Sequence, residues 1–306
     1  MEIIGILIPI FLVMGLGAAS VFLKIFSVSD SYIFSRYDYY IGFPILIFYS
    51  LLHTGFEKIG NGSFLVANIL NLAVTVLLII LISTFFKVKR KFIGVLVLTG
   101  VFGNVAYMGI PLSEALFGKE GVGHASVIVG LVSIFCLSVG IFFFEFFLSA
   151  QVKVQTLFKN LIKNPIIIAV CIGAVASALH MQFPAPLENF LSLVSKSASP
   201  IALFAIGMFL AQKFVIVEKG YIFTLCFLNL IALPLVTLGI GQLFGLSGVS
   251  LKVSFLEAAM PLAVTNFVIA QKYKVYEDVI ASAIVISTIC SILTIGVAVF
   301  FLGFIK

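Results

Sequence analysis

A chain of 306 residues with 62% hydrophobic and only 10% charged residues carries too little charge for a soluble domain. The net charge of +6 does not mark a nucleic-acid-binding face, because the basic residues form short clusters between apolar runs, the pattern of membrane-protein loops. The chain contains no H-E-x-x-H, G-x-S-x-G, P-loop or C-x-x-C, so enzyme chemistry and ATP-driven transport lack their usual residues.

Apolar runs of membrane length recur from end to end, and each can cross a hydrocarbon core of about 30 Å. Ten spans are predicted, at 3–24, 31–53, 63–86, 92–118, 122–148, 164–181, 189–212, 220–244, 250–274 and 278–304. The first begins after an acidic Met-Glu and has full span length, so it is read as a span and not as a cleaved signal. Cys136, Cys171, Cys226 and Cys290 each lie inside an apolar run and read as small packing residues. Neither cysteine nor histidine spacing suggests a metal site, and no cofactor is expected.

Alternate loops differ in basic content, 13 Lys and Arg against 5. The richer side is expected to be cytoplasmic, which puts both termini outside the cell membrane. The longest cytoplasmic connection, Ser149–Lys163, divides the single membrane domain into halves 1–148 and 164–306, with 149–163 as a linker. Five spans per half means that a repeated unit comes out inverted. Span two holds FPILIFYSLLHTG and span seven SPIALFAIGMFLAQ, each with Pro, an aliphatic run and Phe.

The fourth span of each half carries an interrupting proline, in GNVAYMGIPLSEALFG around Pro111 and in EAAMPLAVTNFVIAQKY around Pro261. Proline removes a donor and pushes away the carbonyl four residues earlier. In lipid such a break survives only where protein or a wet cavity satisfies the freed groups. Paired interrupted helices in two halves point to a transporter binding site. Gly109, Ile110 and Pro111 are expected to form the first break, with Asn104 beside it offering two donors and an acceptor. Thr265 and Asn266 follow Pro261 and offer hydroxyl and amide contacts. Exposed N–H groups at helix starts attract anions, so a carboxylate can be held without a buried Arg or Lys. Glu257, one turn from Pro261, is the proton-coupling candidate, weighed evenly against a structural role, and Lys196 is a conceivable partner for it. Glu114, Glu145, His53, His124 and His180 fall near span ends and are expected to meet headgroups or water.

These segments resemble the auxin efflux carrier family, the plant PIN-formed proteins and their prokaryotic relatives. Asn104, Gly109, Ile110, Pro111 and Leu112 match its N-x-x-x-M-G-I-P-L pattern. Ala258, Ala259, Pro261, Ala270 and Tyr273 match its second crossover, and Asn164, Pro165, Pro200, Phe204 and Gly207 match spans six and seven. The resemblance implies an all-α integral membrane fold: ten transmembrane helices in two inverted five-helix repeats, with broken helices four and nine crossing. It further implies a scaffold, a mobile transport subdomain, a homodimer, and organic anions such as auxin, malate, malonate or lactate as substrates. In plant members the asparagine at the Asn104 position contacts the substrate carboxylate. The short linker, and Ile166 where plant members have the second Asn of R-N-P-N, argue against auxin itself. The expected function is a uniporter or proton-coupled carrier of a small organic anion. The competing readings are a sodium-coupled symporter of the bile-acid transporter type, a ligand sensor that moves nothing, and a channel.

Overall fold

The computed structural model describes residues 2–54, 61–148, 154–212 and 215–303. It is all helical, and the sole strand-like pairing among these residues is an isolated antiparallel bridge between Gly103 and Leu262. In chain order the helices are α1 (Glu2–Phe22), α2 (Ser31–Tyr37), α3 (Phe43–Thr54), α4 (Gly62–Phe85), α5 (Arg90–Val101), α6 (Ile110–Phe135), α7 (Ile141–Leu148) and α8 (Val154–Ile162). They continue with α9 (Pro165–Ala178), α10 (Ala185–Leu210), α11 (Lys219–Phe227), α12 (Leu233–Leu243), α13 (Gly248–Ala258), α14 (Thr265–Tyr273) and α15 (Glu277–Leu302). Wide π turns at Asp38–Gly42, Val105–Gly109, Cys136–Gly140 and Leu228–Ala232 lead into α3, α6, α7 and α12.

Polarity runs inside out, as lipid requires. Helix α4 buries Asn68, Asn71 and Thr75 while exposing Leu77, Leu81 and Phe85. Helix α15 buries Ser282, Ser287, Thr288 and Ser291 while exposing Ile289, Ile292 and Leu293. Five helical stretches among the described residues are long and apolar enough to cross a membrane, and a sixth results if the bent pair Gln155–Ile162 and Pro165–Ala178 counts as one. The chain is thus a multi-pass membrane protein. One of the five, Val105–Leu148, is interrupted by a non-helical turn at Gly118, whose φ of 60° and ψ of −148° suit glycine alone. That turn separates the predicted spans 92–118 and 122–148. The predicted spans 92–118 and 250–274 are each cut into shorter helices, so neither is a single crossing rod. Of the expected linker, 149–153 lies outside the described residues, and most of the rest is α8. Asn164 caps the next helix, its Oδ1 accepting from the N–H groups of Ile166 and Ile167.

Two compact units emerge, each taking segments from both sequence halves. Unit 1 comprises 1–61, 106–130 and 164–213, and unit 2 comprises 62–105, 131–163 and 214–306. In unit 1, α1 and α10 cross where glycines let backbone meet backbone. A Cβ at Gly17 would lie 2.1 Å from the Phe204 carbonyl oxygen, and one at Gly207 would lie 1.9 Å from that of Met14. Small residues at a membrane helix crossing permit this approach. His53 pairs with Glu188 at 3.5 Å and Glu114 accepts from the Ser199 hydroxyl at 3.3 Å, so these two groups have partners inside the protein. In unit 2, α5 packs against α7, with Gly94 facing Phe144 and Leu148. Glu145, expected to reach headgroups or water, instead accepts from the Tyr273 phenol, a bond between α7 and the end of α14.

The glycine crossing yields a direct expectation. Gly207→Ala forces α1 and α10 apart and should destabilise the protein by about 1–3 kcal/mol. Thermal unfolding in detergent should show this, whereas Gly15→Ala, where nothing lies within 4 Å, should have little effect.

Candidate functional site

The site begins with two helices that stop short. Helix α5 ends at Val101 and the chain stays non-helical over Phe102, Gly103 and Asn104 before the π turn at Val105–Gly109. Helix α13 ends at Ala258, and the chain is again irregular until α14 starts at Thr265. In unit 2 the two interruptions pair with each other. The Asn104 N–H donates to the Pro261 carbonyl at 2.8 Å, and the Ala263 N–H donates to the Phe102 carbonyl at 3.3 Å. Gly103 and Leu262 are the bridged residues between these bonds. The Leu262 N–H donates to the Ser287 hydroxyl at 3.3 Å, and the Asn266 amide donates to the Phe102 carbonyl at 2.9 Å. Backbone groups that neither helix can satisfy are thereby satisfied by the other break, by Ser287 and by Asn266.

The position of the first break differs from expectation. It lies at Phe102–Asn104, not at Gly109-Ile110-Pro111. Pro111 instead lies within the helical stretch that starts at Val105, directly after its π turn. The preceding π turn widens the helix ahead of the ring. Pro261 does lie inside its break, and its carbonyl is one of the two that close the pairing.

The structure brings Asn104, Pro261 and Asn266 together in unit 2, with Thr265 exposed at the start of α14. Gly109, Ile110 and Pro111, all buried, belong to unit 1, as does the exposed Lys196. Glu257 is 1% exposed, in the last turn of α13 in unit 2. The two asparagines differ in employment. Asn266 spends its amide N–H on a backbone carbonyl, and its Oδ1 is sealed without a partner. Asn104 is 4% exposed, yet its side-chain amide bonds to no described residue and is not sealed off. Its two donors and its acceptor are left for another molecule.

Four helix ends converge on this pairing, the C-terminal ends of α5 and α13 and the starts of the helical stretches at Val105 and Thr265. The first N–H groups of a helix have no partner within it, and the macrodipole makes that end positive. Next to an uncommitted amide, such ends suit an anion and need no buried cation; no Lys or Arg is buried among the described residues. Ser287 and Phe102 were not legible as part of the site. Ser287 sits in a serine- and threonine-rich stretch of α15 with no local signal, and Phe102 contributes only its carbonyl.

Comparison with known proteins agrees with this architecture. A family model described as membrane transport protein matches residues 2–299. A putative malonate transporter from Rhizobium meliloti is 25% identical over 308 residues, covering 96% of this chain and 94% of the relative. The uncharacterized transporter YfdV of Escherichia coli is 24% identical, with 95% of each covered. A probable auxin efflux carrier component 5a from Oryza sativa is 31% identical over 145 residues, covering 45% of this chain and 40% of the plant protein. The match runs almost the whole length of the chain and rests on transporters, not enzymes: this protein is a member of the auxin efflux carrier family of membrane transport proteins.

Proposed function

We propose that the chain is a secondary transporter of a small organic anion, working as a uniporter or with proton coupling. One observation carries the reading: two broken helices satisfy each other's backbone and leave the Asn104 amide unclaimed beside two positive helix starts. In this reading Asn104 binds the substrate carboxylate, and the backbone from Pro261 to Asn266 completes the grip. Glu257 remains the coupling candidate within unit 2. The name of the Rhizobium meliloti relative makes malonate the first substrate to test. In this reading the driving force is a gradient or the membrane potential, worth about 2.3 kcal/mol per charge per 100 mV.

The proposal extends to architecture: ten spans in two inverted five-helix repeats, in the cell membrane with both termini outside, assembled as a homodimer. A short echo supports the repeat. Leu70-Asn71-Leu72 follows Gly62 at the same spacing as Leu228-Asn229-Leu230 follows Gly220, and both asparagines are buried. An elevator-like mechanism takes unit 1 as scaffold and unit 2, with the paired breaks, as the moving body.

Two experiments test this. Purified protein in liposomes should take up labelled malonate saturably and with little sodium dependence. Asn104→Ala should lower apparent affinity about tenfold or more, the scale of a lost hydrogen bond to a charged group. Anion binding with no uptake would indicate a sensor, strict sodium dependence a symporter, and an unchanged Asn104→Ala affinity would place the substrate elsewhere. Asn266→Ala should instead cost about 1 kcal/mol of stability in thermal unfolding, because its amide braces the Phe102 carbonyl.

A further inference from the structure

Unit 1 contains a buried acid that this transport reading does not use. Asp38 opens the π turn between α2 and α3, and its side chain is 0% exposed. Among the described residues, neither carboxylate oxygen has a hydrogen-bond partner, and no basic side chain lies within ion-pairing distance. The π turn folds the carboxylate back over Gly42: a Cβ there would lie 2.6 Å from Asp38 Oδ1 and 3.2 Å from the Ala198 methyl group. Glycine at 42 is what makes room for the acid, and single π turns inside helices are frequent at functional positions.

The charged and titratable groups on the neighbouring elements are occupied elsewhere or face away. On α2, Arg36 lies over the Tyr32 ring at 5.9 Å, and the Tyr37 hydroxyl bonds to Ser197 at 2.8 Å. Tyr39 follows within the turn. Tyr107, which packs on Phe43 and is close enough to Asp38 to feel its charge, donates to the Ser35 carbonyl at 2.9 Å. On α10, Lys196 is exposed and Glu188 pairs with His53; Ser199, next to Ala198, bonds to the exposed Glu114. On α9 only the exposed Cys171 titrates, and on α3 Tyr49 and His53 lie toward the far end.

We propose that Asp38 is a proton-binding site, occupied by a proton in the conformation seen here and emptied when water reaches the turn during the conformational cycle. A metal cation is the wrong occupant. Sodium-like or divalent ions need several oxygen ligands, and among the described residues neither oxygen of this carboxylate has a polar partner at hydrogen-bond distance. A proton needs one oxygen. Ionised, the group would have lost its water and gained no partner, so the acid form fits the site. Coupling a proton to transport rests on the function proposed above, but binding of the proton does not.

The test separates the two. Infrared difference spectra of the purified protein, taken without substrate, should show protonated-carboxyl absorption at neutral pH, one component of which disappears in Asp38→Asn and shifts in Gly42→Ala. The folded state then binds one proton more than the unfolded chain, so stability falls as pH rises, by up to about tenfold in the folding constant per pH unit. The melting temperature of wild type should therefore fall as pH rises above the ordinary carboxylate range, and that of Asp38→Asn should fall less over the same range. With malonate as probe, Asp38→Asn should also lose the pH dependence of uptake. Carboxyl absorption unchanged by Asp38→Asn, parallel melting curves, or an unaltered pH profile of uptake each overturns the proposal. Absence of uptake in wild type with the band present would overturn the transport reading and leave the proton site standing.

Discussion

Everything in unit 2 depends on one exchange of backbone hydrogen bonds. Phe102 and Pro261 give carbonyls, Asn104 and Ala263 give N–H groups, and Gly103 faces Leu262 between them. An interrupted helix in hydrocarbon leaves polar groups whose burial costs several kcal/mol each. Two interrupted helices that trade these groups remove most of that cost, and in doing so expose helix starts to a common point. The binding capacity is a by-product of how the breaks are stabilised. Asn266 and Ser287 brace the exchange and Asn104 is left over, which divides the polar residues here into those that hold the fold and one free to serve a ligand.

The polar residues away from the breaks follow the same economy. In lipid no hydrophobic gradient drives helices together, so packing and hydrogen bonds must. Asn68 on α4 donates to the Ser254 hydroxyl of α13 at 3.1 Å, and Tyr273 reaches Glu145 across unit 2. In unit 1 the α1–α10 contact is nearly bare backbone at Gly17 and Gly207. Asp38 departs from this rule, since it is buried without any of these compensations.

Much of the fold was legible because the membrane imposes simple arithmetic. Run length, sparse charge and a proline in each half were enough to anticipate helical spans and two breaks. The exact place of the first break was not legible. A proline is compatible both with an interruption and with a π turn that widens the helix ahead of it, and only the partner break, some 150 residues away in the chain, decides between them. Asn104 and Asn266 look alike in sequence, being small amides near a proline. Their separate roles follow from which one meets the Phe102 carbonyl. Ser287 could not be found at all, because nothing local distinguishes it from Ser282 or Ser291 on the same helix. Asp38 is not legible either: it sits near the start of an apolar run, two residues after Arg36, where an acid is ordinarily hydrated, and the π turn that sinks it leaves no mark in hydropathy.

That unit 2 draws its segments from both sequence halves has a consequence for biogenesis. The Phe102 carbonyl leaves the ribosome about 160 residues ahead of the Ala263 N–H that it will accept, on the order of ten to thirty seconds at ordinary elongation rates. Throughout that interval the first half has no covalent access to its counterpart, so α5 cannot hold its final ending by itself. A nascent chain must therefore either continue the helix temporarily through Gly103 or keep that stretch hydrated at the insertion machinery until the last third arrives. Late synthesis, and not early insertion, is when the site comes into being.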